Sequence, residues 1–381
     1  MDAQATGGFL RHFSDLPDPR AANAVHRLGD ILIIAVCAVI CGADSWVDVE
    51  TFGKAKRPWL SSFLQLPRGI PSHDTFGRVF ASLDPEAFER CFQRWMVALR
   101  QLGVRLVAID GKSIRRSFEH AWDASGMAHL VSAFAAENRM TFAQIATAGK
   151  GQELAAMRQL LELLALDEAT VVTIDALGCQ RDIAQQIIGK EADYVLAVKE
   201  NQPALHAAVK RLMDEALLES FGGLRHDYCE STDGDHGRIE KRRVWVSDQA
   251  VEHLGEVAYE WPGLASVAVV ESTRQVIGSG KPPTTQRRYY ISSIEHLNAN
   301  RVGEAIRGHW GIENSLHWQL DVSFGEDLRR VRKNHAAENF SRLCRIALNL
   351  LKNEKTAKIG VKGKRLKAGW DEPYLLRLLT G

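Results

Sequence analysis

The chain has few of the features that mark disulfide-stabilised, secreted or membrane proteins. Its 381 residues include six cysteines, and no two of them form a C-x-x-C pair. The sequence therefore predicts reduced, mostly buried thiols. The most hydrophobic run, residues 31–41, has about eleven residues where a membrane span needs ~20, so it predicts a buried core helix. No signal-peptide layout precedes that run. We expect a cytoplasmic protein with no membrane partner.

The chain also lacks a strong net charge. Its formal charge is +1, so the overall balance does not identify a class of partner. The distribution is uneven, because residues 352–367 contain seven lysines and arginines and a single glutamate. Such a run is either a solvated face or a nucleic-acid contact.

A glycine-rich phosphate loop is a third missing feature. Gly111-Lys112-Ser113 follows a predicted strand and resembles the end of a P-loop. That motif requires a glycine at position 106, which is leucine here. A P-loop NTPase is therefore excluded.

Two apolar, β-branched runs are the most informative feature that is present. Residues 106–109 lead to Asp110, and residues 171–174 lead to Asp175. Runs of this kind are typical of buried parallel strands, whose carboxyl ends carry functional groups in open α/β sheets. A single aspartate at such a position is more often a turn or helix cap. Two of them in one domain favour paired carboxylates that hold a divalent metal.

The order of predicted elements indicates the fold. After residue 103 the pattern runs strand, strand, strand, helix, strand, helix, strand, helix. This is the order of the ribonuclease-H-like fold, in which the first and fourth strands are neighbours. The predicted class is α/β, with a mixed five-stranded sheet and flanking helices. Asp110 and Asp175 would then lie side by side.

Changes in composition and periodicity divide the chain into five predicted segments. Residues 1–102 form an N-terminal all-α domain, and residues 103–220 form the first part of the catalytic core. Turn residues between short strands mark a β-rich insertion at 221–298. Helices at 299–352 complete the core, and residues 353–381 are a basic C-terminal tail.

A third carboxylate is expected on the helix near residue 313. His309, Glu313 and His317 are spaced i, i+4, i+8, so they share one face of an α-helix. Three converging carboxylates suit two Mg²⁺ ions about 4 Å apart, the arrangement that cleaves phosphodiesters. A lone glutamate on such a helix is usually solvated, and buried or phosphate-contacting histidines are commoner than metal ligands. The competing acids nearby are Asp321, Glu326 and Asp327.

Five motifs follow one another along nearly the whole chain. They are AIDGK at 108–112, TIDA at 173–176, YVLAVKENQ at 194–202, HGRIE at 236–240 and HWGIEN at 309–314. In this combination the chain resembles bacterial insertion-sequence transposases of the DDE type, in the branch of the H-repeat-associated proteins. The resemblance implies that Asp110, Asp175 and Glu313 are the catalytic and metal-binding triad. Two Mg²⁺ ions per active site are implied, with Mn²⁺ able to substitute.

The resemblance also implies an activity and its partners. The expected activity is Mg-dependent strand cleavage and strand transfer at insertion-sequence ends. The expected partners are double-stranded DNA with terminal inverted repeats, target DNA and a second copy of the chain on DNA. The helices at about 10–98 would recognise the repeats, and the DNA-bound protein would be associated with the nucleoid. Two alternatives remain open: a catalytically inactive or domesticated DNA-binding derivative, and a ribonuclease-H-like nuclease without strand transfer.

Contacts to DNA phosphates are expected from basic residues around the triad. Relatives carry a Tyr and an Arg before the Glu and a Lys after it, whereas this chain has Ile306, His309 and Leu320 at those positions. The expected DNA-binding residues are Lys112, Arg115, Arg238, Arg242, Arg307, His309, His317, Arg329, Arg330, Arg332 and Lys333.

Overall fold

A computed structural model describes residues 8–99, 104–117, 127–147, 149, 151–235, 237–278 and 280–380. The chain forms two compact units. The helix-rich unit comprises Met1–Gly103, Gly111–Ala156 and Ile312–Gly381, and the β-rich unit comprises Val104–Asp110 and Met157–Gly311. His236, which belongs to one of the five motifs, lies outside the described residues.

From residue 106 to residue 218 the helices and strands follow the predicted order, whereas the predicted C-terminal tail contains two helices, Val361–Trp370 and Glu372–Thr380. The helices are α1 (Leu28–Cys41), α2 (Trp46–Ala55), α3 (Arg57–Leu60), α4 (His73–Ser82), α5 (Pro85–Leu99), α6 (Glu153–Leu163), α7 (Arg181–Ile188), α8 (Pro203–Leu218), α9 (Gln249–Glu252), α10 (Glu256–Tyr259), α11 (Ala299–Ile312), α12 (Trp318–Val322), α13 (Ala336–Asn353), α14 (Val361–Trp370) and α15 (Glu372–Thr380). The strands are β1 (Leu106–Ser113), β2 (His129–Ala135), β3 (Met140–Thr147), β4 (Val171–Ile174), β5 (Asp193–Val198), β6 (Asp227–Asp235), β7 (Arg238–Ser247), β8 (Ser266–Val276) and β9 (Thr284–Ser292).

The helix-rich unit is built around α1. Its residues 31–40 are at most 2% exposed, because the helix is apolar on every side and other helices cover it. Helices α2, α13 and α14 pack against it. The prediction of a buried core helix is therefore confirmed. The six cysteines are all free.

Local sequence explains where several of these helices begin. Ser45 and Asp48 form a reciprocal capping box at the start of α2, and the Ser72 hydroxyl accepts from the backbone N–H of Thr75 at the start of α4. Each cap satisfies backbone donors that would otherwise have no partner in the first turn.

The length and hydropathy of the helices bear on membrane insertion. Within the described ranges, no single helix is long and apolar enough to cross a bilayer. By length and composition alone, α1 and α2 pass as a pair that is bent by 97°.

The sheet departs from the prediction in its number of strands. Over the described residues it has nine strands in the order β3-β2-β1-β4-β5-β9-β8-β7-β6, so the predicted five-stranded sheet is wrong. The cause is β9, which pairs antiparallel with β5 from Val195↔Ser292 to Val198↔Tyr289. The strands of the predicted insertion therefore continue the core sheet. Strand β6 was not predicted, because its polar sequence DYCESTDGD lacks apolar alternation.

The core of the β-rich unit lies between the sheet and α11. One face of α11 contributes Ala299, Val302, Ala305 and Ile306, which pack with apolar side chains of β4, β5, β7, β8 and β9. Ile306 stands where relatives carry a tyrosine, and at 8% exposure it is part of this core. The packing fixes the orientation of the helix that leads to residue 313.

Candidate active site

The two predicted strand-end aspartates are neighbours in the β-rich unit, but β1 continues to Ser113, so Asp110 lies within its strand and only Asp175 follows the end of one. Strands β1 and β4 pair in parallel from Leu106↔Val171 to Ile109↔Ile174. Asp110 and Asp175 are the next residues in this register, and adjacent strands lie about 4.8 Å apart. The prediction that the first and fourth strands are adjacent is confirmed. The sequence produces this arrangement because both runs are buried and β-branched up to the aspartate.

Asp175 has a structural role as well as a predicted catalytic one. Its carboxylate accepts a hydrogen bond of 3.1 Å from the backbone N–H of Leu177 and caps the short 3₁₀ turn Ala176–Gly178. The side chain is half-buried, so the cap fixes its position without enclosing it. A capping aspartate retains free lone pairs, because a carboxylate has about four acceptor sites.

His309 lies beside this pair on α11. Its Nδ1 is 3.2 Å from the hydroxyl of Thr173, on β4. Burial lowers the pKa of His309 below its usual value, and the negative charge of Asp175 only partly opposes this. The imidazole is therefore neutral at pH 7. Thr173 was not among the predicted site residues, because an inward-facing threonine on a buried strand has no distinctive sequence pattern.

Glu313 begins a π-helical turn in the helix-rich unit. The turn Glu313–His317 connects α11 to α12, and π turns of this kind occur often at functional sites. The looser winding changes the spacing expected for a regular α-helix, so His317 is not at the α-helical i+4 position of Glu313. Glu313 is exposed, and within the described chain its side chain makes no hydrogen bond or ion pair. Its carboxylate is therefore available to a ligand.

The three competing acids have partners instead. The side chain of Lys112 is 8% exposed, and its ammonium contacts Asp321 and lies 3.6 Å from Glu326 and 3.5 Å from Asp327. The backbone N–H of Arg115 also donates to Asp327, at 3.1 Å. All three acids therefore serve as counter-charges to the ammonium of Lys112. The role of Lys112 as a phosphate contact stays a prediction, and in this structure carboxylates surround its ammonium.

Glu326 is the most deeply buried member of this acidic group. Its carboxylate is 1% exposed and accepts from Arg345 at 3.0 Å and from the Ser341 hydroxyl at 2.6 Å. Burial by itself would raise the pKa of Glu326, but the charges of Arg345, Lys112 and Arg329 hold it at about 2. Glu326 is therefore ionised inside the fold and stabilises the segment that follows α12.

Two of the predicted DNA-binding arginines of the β-rich unit share one acid. Arg307 lies 2.7 Å and Arg242 2.6 Å from the carboxylate of Asp233. The structure thus connects α11 to β6 and β7 through Asp233. Arg307 remains 52% exposed, so it can still reach a ligand. Arg238, at the start of β7, is half-buried.

The predicted basic cluster after α12 divides into inward and outward residues. Arg329 is 8% exposed, stacks over the Phe340 ring at 4.5 Å and donates to the carbonyl of Phe324. Arg332 is half-buried and donates to the carbonyl of Arg116 at 2.9 Å. Arg330 and Lys333 are exposed. These two therefore present their charges to solvent.

The donor set meets only part of what a divalent metal requires. In the described part of the chain, no three His, Cys, Asp or Glu side chains lie close enough together to hold a metal ion. The chemistry of the donors nevertheless fits, because Asp110, Asp175 and Glu313 offer the hard carboxylate oxygens that Mg²⁺ prefers. Asp110 and Asp175 belong to the β-rich unit and Glu313 to the helix-rich unit. Their assembly into one site stays a prediction.

Comparison with known proteins gives two family matches. Residues 102–350 match the family described as Transposase DDE domain, and residues 10–96 match the family described as DDE_Tnp_1-associated. The second match coincides with the N-terminal helices. The resemblance drawn from the five motifs is therefore confirmed.

Curated relatives cover nearly the whole chain. The "Putative transposase YncI" of Escherichia coli O157:H7 is 41% identical over 373 residues, which is 97% of this chain and 94% of the relative. The "H repeat-associated putative transposase YhhI" of Escherichia coli K12 is 38% identical over 375 residues, 98% of this chain and 97% of the relative. A shorter K12 protein named "Inactive transposase YbfQ" is 45% identical over 71 residues, 18% of this chain and 84% of that protein.

A solved structure overlaps the chain more loosely. It is titled a cryo-EM structure of piggyBac transposase synaptic complex with hairpin DNA. The match covers 97% of this chain and 77% of the chain in that structure. The TM-score is 0.41 and the identity is 11%, so this likeness supports no conclusion about the chain.

Proposed function

This chain belongs to the DDE transposase family, and we propose that it cleaves DNA strands at insertion-sequence ends and transfers them to target DNA. The observation that carries the proposal is the parallel register of β1 and β4, which makes Asp110 and Asp175 neighbours where the buried residues of both strands end. A second observation is the free, exposed carboxylate of Glu313 on a π turn.

Each of the three carboxylates would have a defined part. Asp110, Asp175 and Glu313 would hold divalent metal, with two Mg²⁺ ions expected and Mn²⁺ able to substitute. When bound, the ions would supply Lewis acidity and neutralise charge at the reacting phosphodiester. Asp110 and Asp175 supply rigid positions, because each is fixed by a paired strand and Asp175 is also held by the N–H of Leu177.

His309 would orient the site without adding charge to it. Its ring contacts Thr173 on the strand that ends at Asp175, and burial keeps it neutral at pH 7. A neutral imidazole in this place does not compete with metal for the negative charge of Asp175. We infer a positioning role for His309.

The proposed partners follow from the same assignment. The N-terminal helices, which match the transposase-associated family, would bind terminal inverted repeats in double-stranded DNA. Exposed cations such as Arg330 and Lys333 would contact phosphates. Transposition joins two ends to a target, so a dimer on DNA is expected. We propose that the protein works in the bacterial cytoplasm, bound to the nucleoid.

A plasmid excision assay with Mg²⁺ tests the proposal. Asp110→Asn, Asp175→Asn and Glu313→Gln each keep the shape of the side chain and remove its charge, and each should abolish excision. Asp182→Asn is the matched control, since Asp182 is paired with Arg158 on the exposed face of α7, and it should retain wild-type activity. Wild-type excision by any of the three triad variants would overturn the assignment of that residue.

Two alternatives have their own outcomes. The relative named an inactive transposase makes a DNA-binding derivative the first of them. A mobility shift on DNA without metal-dependent nicking by the wild-type chain would support it. Nicking without joining of a 3′-hydroxyl end to target DNA would instead support a nuclease on the same fold.

A further inference from the structure

A groove of about 650 Å³ lies at the carboxyl ends of β4 and β5, within the β-rich unit. We call it the strand-end groove. The lining comprises Ala176 and Leu177, the two residues after Asp175, together with residues 197–201, His206 and residues 286–290. The volume falls within the range of ligand-sized pockets, about 300–1,000 Å³. A groove of this size suits one or two nucleotides of a single strand.

The loop that follows β5 is fixed to the loop that carries Asp175. The side-chain amide of Asn201 donates to the carbonyl of Ala176 at 2.6 Å, and that of Gln202 donates to the carbonyl of Cys179 at 2.9 Å. Both residues belong to the YVLAVKENQ motif, for which the triad gives no explanation. These hydrogen bonds hold the loop that carries Lys199 against the turn that follows Asp175.

The charge of the groove is positive. Three cations and one carboxylate line it: Lys199, Arg287, Arg288 and Glu200. Arg287 is neutralised by Glu271 at 3.0 Å and Asp214 at 3.1 Å. Neither Lys199 nor Arg288 has a carboxylate partner within the described chain. Helix α8 also starts at this loop, and the first turn of a 16-residue helix adds free N–H groups and the positive end of its dipole.

An aromatic ring lies beside one of the cations that line the groove. The guanidinium of Arg288 lies 5.1 Å from the centre of the Trp310 ring, and this tryptophan is 43% exposed. Stacking on an aromatic ring is how single-stranded nucleic acids are held without sequence preference. Cations beside a stacking ring therefore favour a nucleic-acid strand over a free anion.

We propose that the strand-end groove binds one DNA strand beside the phosphodiester on which Asp110 and Asp175 act, with Lys199 and Arg288 as its phosphate ligands. This inference rests on the proposed function, since it takes DNA as the substrate. In this proposal the YVLAVKENQ motif, through Lys199, holds the DNA strand, while the two aspartates act on the phosphodiester.

Fluorescence anisotropy tests this proposal. The affinity of the protein for a fluorescein-labelled, single-stranded 20-mer of mixed sequence is measured in EDTA at KCl concentrations between 50 and 200 mM. Loss of one phosphate contact should make the slope of log K against log salt shallower by about 0.7. Lys199→Met and Arg288→Met should each show this change with an affinity loss of about fivefold, whereas Lys199→Arg should keep the wild-type slope. Arg211→Met, an exposed cation elsewhere on α8, is the control and should match the wild type.

Wild-type slopes in both methionine variants would overturn the proposal. A second result would also overturn it: a millimolar deoxynucleoside monophosphate competes on the wild type, that competition is lost in Lys199→Met, and the 20-mer binds this variant with wild-type affinity. The groove would then hold free nucleotides. Circular dichroism of each variant confirms folding. The assay needs neither metal nor catalysis, so its failure is separate from failure of the excision test.

Discussion

The ammonium of Lys112 donates a hydrogen bond to the carboxylate of Asp321, which lies 209 residues further along the chain. Lys112 follows Asp110 by two residues, on the same strand. Asp321 lies near the end of α12, shortly after the π turn that contains Glu313. The pair therefore joins a buried lysine to a partly exposed carboxylate within the helix-rich unit.

Removal of the Lys112 charge should destabilise the protein more than removal of the Asp321 charge. Lys112→Met leaves the buried Glu326 with one counter-charge fewer, and we expect a loss of about 3 kcal/mol in the free energy of unfolding. Asp321 is 36% exposed, so Asp321→Asn should cost about 1 kcal/mol or less. Urea denaturation measures both. A shallower salt dependence of DNA binding without loss of stability in Lys112→Met would instead place this lysine on DNA.

Glu326 should make the stability depend on pH in acid. Its folded pKa of about 2 lies below the usual 4.5, so its contribution is complete above pH 4.5 and is lost as the pH falls towards 2. The shift corresponds to about 3 kcal/mol at neutral pH. Glu326→Gln should therefore be less stable at pH 7, and its stability should fall less steeply than that of the wild type between pH 4.5 and 3. Parallel pH curves from urea titrations would contradict this.

Gly178 controls the position of the turn after Asp175. A Cβ there would lie 2.1 Å from Cγ2 of Ile174, so Gly178→Ala must displace the end of β4. We expect a loss of about 1–3 kcal/mol in stability and a larger proportional loss of excision, because Asp175 lies within the displaced segment. Gly369→Ala is the control: no atom lies within 4 Å of its Cβ, and alanine favours the helix α14. Excision at the wild-type rate in Gly178→Ala would show that the turn does not position Asp175.

The sequence predicted elements whose signal is local. Residues 107–109 of β1 and all four residues of β4 are buried, so both read as continuous apolar runs. Asp175 follows the end of β4 as predicted, whereas β1 continues past Asp110 to Ser113. The pairing of β9 with β5 has no such signal, because it depends on register between segments about 90 residues apart. The nine-stranded sheet therefore could not be read from periodicity.

The same distinction applies to the candidate site. The aspartates were found because they interrupt apolar runs. The carboxylates around Lys112 come from residues more than 200 positions away, so the AIDGK motif alone could not predict that Lys112 is buried. Asn201 was part of a recognised motif, yet only the structure connects its amide to the turn after Asp175.

Arg342 should be coupled energetically to Glu89. The guanidinium is 1% exposed and lies 2.6 Å from the carboxylate, which also accepts from the backbone N–H of Gln144 at 2.9 Å. Arg342→Met leaves Glu89 buried without its counter-charge and should cost about 4 kcal/mol. The double variant with Glu89→Gln should cost less than the sum of the single changes by about 2 kcal/mol, as measured by a double-mutant cycle in urea. Additive losses would show that the two side chains are stabilised independently.

Burial of α1 by α13 has a consequence for synthesis. The ribosome completes the apolar helix α1 about 300 residues before α13 emerges, which at 5–20 residues per second is roughly 15–60 s. During that interval α2 can pack against α1, but the apolar surface that α13 covers stays exposed. Messages that end before the codons of α13 would release products that cannot cover it, so such products should aggregate or be degraded. Only full-length translation would then yield a folded N-terminal region.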